Sequence, residues 1–426
     1  MRILWSVNTI FPFPAKELGM KSTVLGGWLI SSFNSLLKEK KISSIAIVSV
    51  YQGKEYLKYT DGKVIYYLIP CINKEKYDKK LRSMFKRVYD DFKPDLIHIH
   101  GTEYPYSLSA IEGSNNIKTI VSIQGLVSVC GIDYYYNAGI SKKEMLKNIT
   151  LRDIIRNDLL INQSSGFKKR GKYEERVLKE CDYIIGRTSW DRAHAYSITN
   201  DFKYKKCNES LRESFYNSSW NITKIEKHSI FISQATYPIK GFHILLKSAS
   251  ILKNIYPDLK IYVAGTNIIK SNSAGFYNKM RLTGYGKYIL NLIKKYDLSN
   301  NVEFLDLLNE EEMVNKLLKC NVFVQASSIE NSSNSLGEAM LLGMPCVASY
   351  VGGTGDMLLD KKEGFLYPFG DYSILTYYIS NIFDNDDLAI ELGMNAKKHA
   401  LITHNRNKNC DVLIEIYMEA LNEDKE

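Results

Sequence analysis

A chain of 426 residues, 45% hydrophobic and 24% charged, has an ordinary globular composition, and at ~100–200 residues per domain it spans about two to four domains. That length excludes a small disulfide-framed or metal-framed module, and the seven cysteines, at 71, 130, 181, 207, 320, 346 and 410, contain no Cys-x-x-Cys pair, which fits a reduced cytosolic compartment better than a zinc site. No apolar run reaches the ~18 residues of a membrane-spanning helix. The chain is therefore expected in the cytoplasm or at the inner face of the cell membrane.

Met1-Arg2-Ile3-Leu4-Trp5-Ser6-Val7-Asn8 lacks the positive cluster of a signal peptide and is broken by Ser6, Asn8 and Thr9, so it reads as a core strand. From there to about residue 125, β-branched runs alternate with amphipathic stretches of helical length. Strands are expected at 2–7, 44–50, 64–69, 96–100 and 119–123, and helices at 27–38, 79–92 and 106–112, the pattern of a parallel sheet covered on both faces. The alternation pauses through 134–180 and resumes with a strand at 183–185. Residues 207–227 are polar and rich in Asn and Ser and read as an interdomain connection. A second series follows, with strands at 229–233, 260–264, 302–304, 322–325 and 346–349 interleaved with helices at 242–255, 286–296, 310–318 and 335–342. The expected fold is α/β: two doubly wound, Rossmann-like domains, 1–220 and 228–405, with a final helix at about 406–426 packing back on the first and a ligand cleft between the two.

The formal net charge is +9, and its distribution says more than its size. Residues 74–93 hold eight basic and four acidic side chains, and residues 142–180 hold eleven and six, so these two windows carry the whole surplus. Both have helical apolar spacing, as in Leu146, Ile149, Ile154, Ile155 and Leu159. Such segments are either solvated faces or surfaces for an anionic membrane or substrate. No nucleic-acid reading motif accompanies the charge, and nucleic acid is not an expected partner.

The stretch 327–347, Ser-Ser-Ile-Glu-Asn-Ser-Ser-Asn-Ser-Leu-Gly-Glu-Ala-Met-Leu-Leu-Gly-Met-Pro-Cys-Val, runs from a strand through a polar loop with one carboxylate into a helix with a second in its first turn. Unpaired amides and the helix dipole there suit an anion, most naturally a phosphate. Ser335-x-x-Glu338 also reads as a capping box, and Glu330 as a solvated loop residue. Lys240 lies at the start of an amphipathic helix, where a cation is disfavoured by ~0.3–1 kcal/mol. An adjacent anion would explain it; a side chain snorkelling into solvent is the alternative.

Glu330-x7-Glu338 followed by Ala-Met-x-x-Gly-x-Pro, with Lys240-Gly241 upstream and Gly352-Gly353 downstream, resembles the retaining family-4 glycosyltransferases (glycosyl transferases group 1) of GT-B fold. Gly26-Gly27 and Asp95-Leu96-Ile97-His98-Ile99-His100-Gly101 resemble the same family's N-terminal pattern, so the likeness covers nearly the whole chain. It implies transfer of a sugar, without a metal or other cofactor, from a nucleoside-diphosphate sugar, UDP-sugar rather than GDP-sugar, to a glycan or polyprenyl-phosphate-linked acceptor in bacterial surface polysaccharide synthesis. Glu330 and Lys240 are then the catalytic pair, Glu330 on sugar hydroxyls and Lys240 on the diphosphate. Glu338 would hold the ribose diol, the amides around Ser333, Asn334 and Ser335 the diphosphate, and Gly26 and Gly27 would let backbone approach it.

Two positions depart from the family pattern. Ala235 stands where an arginine is usual, which leaves Arg187 or Arg281 as a substitute; Arg187 can equally pair with Asp191 at i,i+4. Gln124 stands where many relatives have histidine, keeping a donor and an acceptor for the sugar without a titrating group. His98 and His100 share a strand face, and His100 is either a donor-site hydrogen-bonding group or a structural histidine. The other readings of the chain are a nucleotide-sugar epimerase and a non-catalytic glycan-binding or partner-stabilising subunit of the same fold.

Overall fold

A computed structural model of the chain describes residues 1–20, 26–200, 203–269 and 282–422. The chain forms two compact units, Met1–Val129 with Phe167–Leu211 and His404–Glu426, and Cys130–Gly166 with Arg212–Thr403.

The first unit is built on eight strands: β1 (Arg2–Val7), β2 (Ser44–Tyr51), β3 (Leu57–Asp61), β4 (Val64–Pro70), β5 (Leu96–His100), β6 (Lys118–Ser122), β7 (Tyr183–Gly186) and β8 (Lys203–Lys206). Their order in the sheet is β3-β4-β2-β1-β5-β6-β7-β8, parallel throughout except for the β3–β4 pair. β1, β2 and β5 are buried almost end to end, as strands covered on both faces require. The outer strands β3 and β8, Leu-Lys-Tyr-Thr-Asp and Lys-Tyr-Lys-Lys, carry charge. Charge protects a sheet edge and also hides the strand from a hydrophobic pattern, so neither was among the expected elements.

The helix Arg406–Asn422 belongs to this unit and adds Leu413, Ile414, Ile416 and Tyr417 to its core. Tyr417 Oη accepts from Trp5 Nε1 at 2.9 Å and lies 2.6 Å from His98 Nδ1. Trp5 and His98 are register partners on β1 and β5, so one phenol ties the terminal helix to two central strands. Glu174, on helix Gln163–Glu180, is fully buried and accepts from Thr102 Oγ1, Val127 N, Ser128 N and Ser128 Oγ at 2.6–3.1 Å. That carboxylate fixes the loops that leave the carboxyl ends of β5 and β6.

The second unit has six parallel strands: β9 (Ser229–Ile232), β10 (Lys260–Val263), β11 (Val302–Phe304), β12 (Val322–Gln325), β13 (Cys346–Ser349) and β14 (Phe365–Tyr367), in the order β11-β10-β9-β12-β13-β14. β14, three residues at the sheet edge, was not among the expected strands. The chain winds outward from β9 to β11 and returns to β12 on the other side of β9, a topological switch point of the kind at which open α/β sheets bind ligands.

Within the expected N-terminal domain 1–220, residues from Cys130 to Gly166 and from Arg212 onward pack with the second unit. His243 Nε2 meets Ala138 O at 2.8 Å, and Asn291 Nδ2 donates to Asn148 Oδ1 at 2.8 Å. Lys287 Nζ donates to the carbonyls of Lys147 and Ile149.

Tyr417→Phe leaves two buried nitrogens, on Trp5 and His98, without their shared partner. The expected loss is about 1–3 kcal/mol, read as a lower denaturant midpoint for the first unit, with the second unit's transition unchanged.

Candidate functional site

In the second unit, the loops after β9 and β12 bring the two most informative motifs together. After β9 the chain makes a 3-10 turn, Pro238–Lys240, and enters helix Phe242–Ile255 through Gly241 at φ +66. A Cβ on Gly241 would fall 1.7 Å from the carbonyl oxygen of Ala326, so only glycine lets this turn lie against the end of β12. Ser328 N donates to Ile239 O at 2.8 Å and fastens the two loops.

Across that seam, Lys240 Nζ donates to Glu330 Oε1 at 2.6 Å, and Ser327 Oγ donates to the same oxygen at 2.7 Å. Burial works against the Lys240 ammonium, but the Glu330 carboxylate outweighs it and holds the lysine above its ordinary range. Lys240 is thus a fixed cation at the mouth of the switch point. Glu330 is held at its backbone as well: its carbonyl accepts from Gly353 N at 3.0 Å. A Cβ on Gly352, at φ +51, would lie 1.9 Å from the same oxygen.

Helix Asn334–Leu342 begins four residues on. Its N-cap is Ser333, whose side chain accepts from Leu336 N, and Ser333 N donates to Met357 Sδ at 3.1 Å. Ser335 Oγ accepts from Ser233 Oγ at 3.0 Å, which ties the helix start to the loop after β9. Asn334 Oδ1 is buried without a hydrogen-bond partner. The amides of this first turn have no preceding carbonyl in the helix.

Glu338 does not complete a capping box with Ser335. Both its oxygens are taken by Arg212, through Nε and Nη2 at 2.6 Å each. Burial pushes the carboxyl up and the guanidinium pulls it back, with burial ahead. Arg212 lies in the polar stretch read as a connection, 126 residues from its partner, and no local sequence signal links the two.

In the first unit, the carboxyl ends of β5, β6 and β7 enclose a cavity of about 40 Å³ lined by Trp28, His98, His100, Gln124, Arg187 and Glu209, among others, room for a few waters. His98 is satisfied by Tyr417 and by Ser122 Oγ, 2.7 Å from Nε2, and burial drives its pKa down to about 3. His100, two residues on, is also buried, with Trp5, Trp28 and His98 around its ring. Neither of its nitrogens has a hydrogen-bond partner, and burial, with His98 beside it, keeps it neutral.

Gln124 Nε2 donates to Glu209 Oε1 at 2.7 Å. Arg187 Nη1 lies 2.6 Å from Glu209 Oε2, and its Nη2 donates to the carbonyls of Ile123 and Gln124. Asp191 receives the backbone N–H of Arg187, not its guanidinium. Glu209 orients Gln124 and neutralises Arg187, and sequence reasoning missed it for the same reason as Arg212. Burial raises a further carboxyl, Glu103 in the loop after β5, to about 7.

Gly26 caps helix Gly27–Leu36 at φ +85, with room for a Cβ only at 3.0 Å from Thr9 Cγ2. Arg281 lies outside the described residues. Among the described residues no three His, Cys, Asp or Glu side chains are grouped closely enough to hold a metal ion.

Arg212→Met would strand the Glu338 carboxylate in the second unit. The expected cost near neutral pH is about 3–5 kcal/mol. A carboxyl raised above its unfolded pKa binds its proton more tightly in the native state, so stability falls as pH rises through the folded pKa. The gap between variant and wild type should therefore narrow on acidification toward pH ~4, as denaturant midpoints across pH will show.

Residues 215–399 match the family described as Glycosyl transferases group 1. Over 179 residues the chain is 26% identical to a D-inositol 3-phosphate glycosyltransferase of Corynebacterium urealyticum, a match that spans 42% of this chain and 40% of that one. Among solved structures, a sucrose-phosphate synthase of Thermosynechococcus elongatus superposes with a TM-score of 0.70 at 14% identity, covering 98% of both chains. HepE of Anabaena, solved in complex with UDP-glucose, gives 0.63 at 13% identity, covering 97% of this chain and 99% of that one. The two doubly wound units are those of a GT-B fold, and the stretch 215–399 is similar to the glycosyl transferases group 1 family.

Proposed function

We propose that the chain transfers a sugar from a nucleoside-diphosphate sugar, with UDP as the nucleotide, to a glycan or lipid-linked acceptor in the synthesis of a bacterial surface polysaccharide. The observation that carries the reading is the Lys240–Glu330 pair at the switch point of the second unit, beside the open N-terminus of helix Asn334–Leu342. A structural near neighbour solved with UDP-glucose supports the choice of nucleotide.

In this reading the diphosphate is met by Lys240 and by the first-turn amides of that helix, and the ribose hydroxyls donate to Glu338, whose plane Arg212 fixes. Glu330 accepts from donor-sugar hydroxyls and keeps the lysine charged. In the transfer step the bond between the anomeric carbon and the phosphate oxygen breaks, and negative charge collects on the departing diphosphate. Donors already in place there stabilise the transition state without reorganisation. The bond to the acceptor oxygen forms on the same face, and the acceptor's proton passes to the leaving phosphate oxygen, so configuration is retained and no divalent metal is used. Glu330 serves hydroxyls, so it is not assigned the nucleophile's place beneath the anomeric carbon that a double displacement would need. His100 and Gln124, in the first unit, are neutral polar groups of the kind that bond sugar hydroxyls.

A panel of nucleotide sugars, with released nucleotide followed by mass spectrometry, tests this. Slow hydrolysis of at least one UDP-sugar is expected, and Lys240→Ala and Glu330→Ala should each lower it by about 10²–10³. Donor binding with no turnover, with or without acceptor, would contradict the reading and favour a non-catalytic subunit.

A further inference from the structure

Residues 141–157 of the second unit have their polarity reversed. They form two short helices, Lys142–Lys147 and Leu151–Ile155. The side chains turned inward include Asn148 and Asp153, exposed by only 5% and 1%, whereas Leu146, Leu151, Ile154 and Ile155 are exposed by 55%, 56%, 61% and 63%. Leu151, Ile154 and Ile155 stand at i, i+3 and i+4 and share one helix face. A soluble protein surface has no use for that inversion.

The inversion is built in: Met145 is the apolar member of the inward face, and its polar members, Asn148 and Asp153, are bonded. Asn148 Nδ2 donates to Glu144 O at 2.7 Å, and its Oδ1 accepts from Asn291. Asp153 completes a capping box with Thr150 and pairs with Arg152 at 3.0 Å. A Cβ on Gly284 would lie 2.8 Å from Asp153 Oδ2 and 3.2 Å from Asn148 O, so helix Gly284–Lys295 lies directly beneath. Lys287 grips the carbonyls of Lys147 and Ile149 from the same helix. Turning the aliphatic side chains inward would break all of these bonds.

The charge around the aliphatic face is predominantly positive, five basic side chains against three acidic over residues 141–158. Lys142, Lys143, Lys147 and Arg156 are exposed, whereas the acidic groups are occupied: Glu144 in its capping box, Asp153 buried, Asp158 bonded by Arg152 at 2.8 Å. A second copy of the chain is a poor occupant, since a two-fold contact would set four cations against four. We propose that this face docks on an anionic lipid surface, with Leu146, Leu151, Ile154 and Ile155 entering the headgroup region and the four cations meeting lipid phosphates. The later part of the same basic segment, residues 167–180, is different in kind. There Arg170 is drawn to Glu75 at 3.5 Å and stacks on Phe167. The docking face does not rest on the transfer reaction, though it would bring a lipid-linked acceptor to the enzyme.

Cosedimentation of the full chain with phosphatidylcholine vesicles, with and without phosphatidylglycerol, tests the proposal. Binding should require phosphatidylglycerol. It should fall about a hundredfold in Leu151→Ser/Ile154→Ser/Ile155→Ser, from lost apolar burial, and by about as much in Lys142→Gln/Lys143→Gln/Lys147→Gln, at ~1 kcal/mol per cation. Lys168→Gln/Lys169→Gln should bind nearly as wild type. All the substituted residues are exposed, so thermal midpoints and donor hydrolysis should persist, and a loss of hydrolysis alone would bear on the transfer reading instead. Three results would each overturn the proposal: no preference for anionic vesicles, binding unchanged in both triple variants, or a dimer that the apolar triple variant converts to monomer.

Discussion

Glu330 is held from both ends, and the arrangement of the second unit's site follows from that. Its carbonyl is pinned by Gly353 N and pressed by the backbone of Gly352, while its carboxylate takes Lys240 and Ser327. Buried ion pairs contribute little to stability, because taking both charges out of water offsets most of their attraction. Two partly buried pairs, Lys240–Glu330 and Arg212–Glu338, nevertheless gather where loops and a helix lead from the carboxyl ends of β9 and β12. Both present carboxylate oxygens that can accept further hydrogen bonds, and both keep a cation in a fixed place. That arrangement suits recognition of a polar ligand better than it suits folding.

The first unit shows the same economy through contrast. His98 and His100 lie on one face of β5 with ring centroids 3.8 Å apart, yet their environments are opposite. His98 spends both nitrogens on Ser122 and on Tyr417 of the terminal helix, which makes it a strut. His100 is buried among aromatic rings with both nitrogens unanswered, a state that costs about 1–3 kcal/mol unless a ligand or water completes it. The Gln124–Glu209–Arg187 chain completes the wall with a net-neutral polar surface. Arg187 is already committed to Glu209 and two carbonyls, so its place in the unit is explained without a phosphate.

Most of the fold was legible because buried parallel strands are β-branched runs, and the helices between them carry a clear apolar stripe. Among the strands, what escaped was β3, β8 and β14, all at sheet edges and two of them charged. Lys240 and Glu330 could be found because each is locally anomalous: a lysine at a helix start, a carboxylate in a loop of small polar residues. Arg212 and Glu209 could not. They lie in a polar connection whose partners are set by the tertiary fold. The capping-box alternative for Ser335 and Glu338 fails for a related reason: Ser333 is the cap, and Glu338 is taken by Arg212. The split at Cys130 was equally hidden, because it depends on Asn148, Asp153 and Ala138 finding partners far along the chain.

The central claim is that Lys240 and the adjacent helix terminus form a diphosphate site. Calorimetric titration of wild type and Lys240→Ala with UDP and with uridine tests it most directly. The account predicts that UDP binding weakens by at least tenfold in the variant, about 1.4 kcal/mol, while uridine binding is unchanged. Equal UDP affinity in the two proteins would contradict it.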